Sequence, residues 1–77
     1  MPRVVEQDGI TIYVYSADHN PPHVHAFDAE HEALIEIETG VVLVGHLPGP
    51  RLADARGLVA SNRAALQARW DQLNPAR

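Results

Sequence analysis

The nine residues from Asp18 to Ala26, Asp-His-Asn-Pro-Pro-His-Val-His-Ala, hold three of the five histidines of this 77-residue chain. An imidazole with an ordinary pKa of about 6.5 exists in both protonation states near neutrality, so a pair can serve as acid and base, and the neutral ring ligates metals. Pro21 and Pro22 hold φ near about −65° and donate no amide hydrogen, which makes Asn20-Pro21-Pro22 a stiff extended connector rather than helix or central strand. The residues after it alternate, with His23, His25 and Phe27 on one strand face and Val24 and Ala26 on the other. Side chains two apart on a strand lie roughly 6.5 to 7 Å apart along it, close enough for two imidazoles to converge on one metal ion or one phosphate.

Three uses of this pair follow from the chemistry. As metal ligands, His23 and His25 need a third donor, which His19 or Glu36 can supply, and such a set suits zinc or another divalent transition metal. As a metal-independent ribonuclease, one of the two imidazoles is the base and the other the acid, with a cation stabilising the developing negative charge. As plain strand residues, they stack on Tyr13, Tyr15 and Phe27 in an interface. Asp18 reads first as an Asx-turn residue shaping the loop before Pro21, and it belongs with those three aromatics among the candidate binding residues.

The elements that must position these side chains read as four strands and a helix. Ile10 to Tyr15 is a period-two run rich in β-branched and aromatic residues, with Ile10, Ile12 and Val14 on one face and Tyr13 and Tyr15 on the other. The second strand carries His23 to Phe27, and Asp28 to His31 forms a four-residue loop. Glu32 to Glu38 alternates again, Thr39-Gly40 makes a two-residue turn, and Val41 to His46 returns. These loops set His23 opposite Glu36 and Val24 opposite Ile35, and they place Ile35 beside Val44 and Ile37 beside Val42 on a core face that also receives His46. Pro48-Gly49-Pro50 ends the sheet. Leu52, Ala55, Val59, Leu66, Trp70 and Leu73 then fall within about 60° of one another at helical spacing, a stripe that needs a sheet to cover it. Ser61-Asn62 could break this helix in two, but the stripe stays in phase, so one helix is expected. The expected architecture is one α+β domain over 1–77, a four-stranded antiparallel meander over 9–47 with a single C-terminal helix over 51–74 packed on one face. One helix covers one face, so the aromatic and histidine face is expected to need a partner, most simply a second copy in a homodimer.

Composition narrows the partners. Residues 1–46 hold eight acidic residues and one arginine, whereas 47–77 hold five arginines and two aspartates. The histidines lie in the acidic half, so non-specific nucleic-acid binding is disfavoured. The absence of cysteine excludes disulfides and thiolate zinc sites. With no signal-like apolar run and no stretch approaching a membrane span, a soluble cytoplasmic protein is expected.

The chain resembles a small bacterial family called domain of unknown function 4160. The likeness rests on Ile12-Tyr13, the run Asp18-His19-x-Pro21-Pro22-His23-x-His25, the Ile-Glu-x-Gly turn at 37–40, and the helix from Asn62 to Trp70. The resemblance implies a gene context like that of toxin-antitoxin modules and a small cognate protein partner from the same locus, and it implies no reaction. The alanine- and arginine-rich helix, which has no lysine, departs from relatives that carry lysine and glutamate there. The leading reading is a toxin-antitoxin-like component whose His-x-His face engages a protein partner or second subunit, with a metal ion as an accessory. The alternative is a ribonuclease toxin using His23 and His25.

Overall fold

Ile10, Ile12 and Val14, every second residue of one extended run, are fully buried in the computed structural model, which describes residues 3–16 and 19–75. Asp18 lies outside the described residues. The strands are β1 (Arg3–Gln7), β2 (Ile10–Tyr13), β3 (His23–Phe27), β4 (Glu32–Glu36) and β5 (Val42–Gly45), followed by the helices α1 (Gly49–Ser61) and α2 (Arg63–Leu73). The sheet is an antiparallel meander in the order β1-β2-β3-β4-β5. The α+β class stands, but the expected four strands and one helix are corrected to five strands and two helices.

Each correction has a local cause. β1 precedes the expected sheet because Asp8 and Gly9 both take positive φ, 54° and 80°, the geometry of a two-residue hairpin turn whose twist matches the strands it joins. Between β4 and β5 the chain turns over 37–40 rather than over two residues. Glu36 N–H donates to the Val41 carbonyl and Gly40 N–H to the Glu36 carbonyl. Ile35 then pairs with Val42 and Leu34 with Val44, so Leu43 is one residue too many for the ladder. Such a bulge reverses the facing of everything beyond it. Val44 is therefore 61% exposed instead of lying in the core beside Ile35, and His46 is exposed instead of interior. The β3–β4 register is the expected one, with His23 opposite Glu36 and Val24 opposite Ile35.

The helical segment starts at Gly49, with Pro50 inside the first turn, where its missing N–H costs nothing. It divides at Asn62, at φ −116° and ψ 17°. Asn62 Nδ2 and Ser61 Oγ both donate to the Leu58 carbonyl, at 2.9 and 3.3 Å, so that it is shared between these side chains and the Asn62 amide at 3.1 Å. The apolar stripe survives the break. Ala55, Val59, Leu66 and Trp70 are buried, and Leu52 and Leu73 pack against them. They meet Val24, Ala26, Ala33, Ile35 and Ile37 on the inner face of the sheet. Each such aliphatic side chain contributes roughly 1.5 to 3 kcal/mol on full burial, before entropy is set against it.

Three side chains tie the helices to the turns of the sheet. Arg51 Nη2 donates to the Asp8 carbonyl, Arg63 Nε to that of Ile37 at 2.8 Å, and Asn74 Nδ2 to that of Tyr15 at 2.8 Å. The last of these brings the end of α2 to the segment that leads into β3. That is where the histidine run begins.

Candidate functional site

The outer face of the sheet, away from α1, is set by the registers on either side of β3. One row runs Glu6, Thr11, Phe27, Glu32; the next includes Tyr13, His25, Leu34 and Val44; a third sets His23 beside Glu36. Their rings touch in sequence. Phe27 stands edge-on to Tyr13 at 5.3 Å, Tyr13 is parallel to Tyr15 at 5.8 Å, and Tyr15 meets His25 edge-on at 4.5 Å. His25 is followed by His23 at 5.2 Å, and His23 by Trp70 of α2 at 5.3 Å. Tyr13, Tyr15 and Phe27 are each half-buried by these neighbours, so the face shows water less apolar surface than an uncovered sheet would.

The two histidines of β3 differ sharply. His23 was expected on an uncovered face, yet it is 4% exposed, tucked beneath Trp70, with Nε2 closed to solvent. Its Nδ1–H donates to the Pro21 carbonyl at 2.8 Å, a bond to the proline connector itself. For His23 to meet a metal ion or a phosphate, the ring must first leave the shelter of Trp70. His25 keeps a side chain 15% exposed, and its Nδ1 donates to Glu32 Oε2 at 3.1 Å.

The remaining candidates fall around this pair. Glu36 lies opposite His23 in the ladder, but its carboxylate accepts the Thr39 hydroxyl. His19 is exposed in the segment before Pro21. Among the described residues, no group of three or more His, Cys, Asp or Glu side chains is arranged to hold a metal. The face also contains Glu32, which the sequence reading left out; the β3–β4 register already put it diagonal to His25, within reach of a long side chain. Trp70 was expected in the core and is there, but its contact with His23 depends on where α2 ends.

A second pair of imidazoles sits at the other end of the sheet. His31 and His46 meet edge-on at 5.8 Å. His31 Nδ1 donates to Asp28 Oδ1 at 3.2 Å, and that same oxygen accepts the amides of Glu30 and His31. The Glu30 amide above all, with the amide and ring of His31, holds the Asp28 carboxyl below the usual carboxylate range, against a smaller opposing effect of desolvation.

These features define a class, a small α+β domain with one sheet face covered by helices and the other lined by a run of touching rings among carboxylates. The family model described as Domain of unknown function (DUF4160) matches residues 9–71, and the chain belongs to that family. The match begins at Gly9 and so omits β1, while it takes in the histidine run and all but the end of α2. No curated protein and no solved structure gives a match. No helix among the described residues is long and apolar enough to cross a membrane.

Proposed function

We propose that this protein is a binding component of a toxin-antitoxin-like module in the cytoplasm, and that its outer sheet face engages a protein partner through arginine or lysine and apolar side chains. The carrying observation is the run of touching rings from Phe27 through Tyr13 and Tyr15 to His25, set among Glu6, Glu32 and Glu36. Aromatic faces attract cations, by about 0.5 to 2 kcal/mol each, and neighbouring carboxylates add to that attraction while repelling phosphate. Rigid aromatic rings are also the side chains most often found at the energetic centre of protein interfaces. A second copy laid on this face would set carboxylates against carboxylates, so a basic partner fits better than the expected face-to-face homodimer. The ribonuclease reading is less well supported, since it needs both imidazoles at one phosphate and His23 is beneath Trp70. A metal ion is not required by this mode of binding, and a chelator is expected to leave it unchanged.

The test is a chemical-shift titration of the labelled protein with three probes: a peptide alternating arginine and leucine, one alternating glutamate and leucine, and a single-stranded RNA. Expected are saturable shifts at Tyr13, Tyr15, Phe27 and Glu32 with the arginine peptide alone, weakened about tenfold or more in Tyr13→Ala and Phe27→Ala. Binding of the RNA in its place, or peptide shifts confined to the helices, would overturn the proposal.

A further inference from the structure

The two edges of the sheet are built differently. β1 carries Arg3, Glu6 and Gln7, and its turn is held by Arg51 through the Asp8 carbonyl. Charges on an outer strand discourage another chain from adding to it. β5, the opposite edge, has none. From Thr39 to Pro50 there is not one Asp, Glu, Lys or Arg, in a chain whose net charge is −4. The exposed large hydrophobic residues of the described structure all belong to this stretch, Val41 at 51%, Leu43 at 39% and Val44 at 61%.

We propose that β5 is a self-pairing edge, on which a second copy of this chain docks antiparallel through Val41 to Gly45 and joins two five-stranded sheets into one. An antiparallel strand pair is its own mirror in sequence, so one patch serves both copies and a twofold axis closes the assembly. A second copy suits the site because both contributors are acidic overall, and this is a surface where two of them meet with no like charges directly opposed. A charged partner would find nothing here to pair with. The bulge at Leu43 keeps the shared ladder short, and a segment running only from Val41 to Gly45 buries far less than the roughly 800 Å² per partner of a standard interface. The dimer is therefore weak. Val44 borders the outer face beside Leu34, but none of the touching rings lies on β5, so Tyr13→Ala and Leu43→Lys let either proposal fail without the other.

Sedimentation equilibrium on the full chain, up to about 1 mM, is expected to show reversible dimerisation that weakens about tenfold or more in Leu43→Lys and Val44→Lys, both at solvent-exposed positions. The chain has no cysteine, so a single Leu43→Cys thiol provides an independent readout that does not depend on the lysine variants folding. Under mild oxidation Leu43→Cys should form a disulfide dimer at concentrations where Ala65→Cys, on the exposed side of α2, does not. A chain monomeric throughout that range overturns the proposal. So does a dimer indifferent to both lysines with no Leu43→Cys cross-link, or one abolished by Tyr13→Ala instead.

Discussion

His23 and His25 share a strand, a face and a side-chain type, yet one is buried and the other only half-buried. Periodicity assigns both to the same face, and it is right. What separates them is the end of α2, which reaches the Tyr15 carbonyl through Asn74 and lays Trp70 over the first ring and not the second. Which face a side chain takes is thus a local matter of alternation, whereas whether that position is covered is a tertiary one. A motif such as His-x-His carries the first kind of information and not the second.

The strongest way to break the contrast is Trp70→Ala. Deleting a buried tryptophan costs about 3 to 5 kcal/mol, a large share of the roughly 5 to 15 kcal/mol that holds a whole domain together. Urea denaturation should show this loss, and if the variant retains its fold, His23 should become reactive toward diethylpyrocarbonate at a rate like that of His25. Comparing His23→Ala with His25→Ala sharpens the contrast. The first leaves a cavity and an unsatisfied Pro21 carbonyl, at about 1 to 3 kcal/mol, while the second gives up a part-exposed pair with Glu32 worth about 1 kcal/mol or less. Equal losses would mean that Trp70 does not distinguish the two rings.

The smallest effect is expected at the far end of β3. The carboxyl of Asp28 is held below its ordinary value in the folded chain, so its stabilising contribution is complete above the unfolded value of about 4 and disappears as the pH falls through the lowered folded one. Asp28→Asn should lower the urea midpoint slightly at pH 7, where the carboxylate's contribution is complete, and flatten its decline below about pH 4. An unaltered acid slope would remove Asp28 from the account.

Much of this arrangement can be read without coordinates. The buried positions of β2, the inner face of β3 and the β3–β4 register follow from alternation and one four-residue loop. The helical stripe persists through its interruption because its spacing continues on both sides. β1 was open to the same reasoning, since Asp8-Gly9 is a hairpin turn pair, but its strand is short and mixed in character. The facing of Val44 and His46 was not, because a single additional residue at Leu43 inverts it and apolar side chains on both sides of β5 leave alternation no contrast to work with. Nor was the break at Asn62, where hydrogen bonds of Ser61 and Asn62 outweigh an apolar pattern that fits one helix equally well.

The three ties between helices and turns all run from a side chain to a main-chain carbonyl. Every residue type offers that oxygen, so the ties are one-sided. Substitution at 8, 15 or 37 leaves the accepting oxygen in place whatever else it costs, while loss of the donor at Arg51, Arg63 or Asn74 removes the tie outright. Each attachment therefore depends on one side chain rather than on two matched ones.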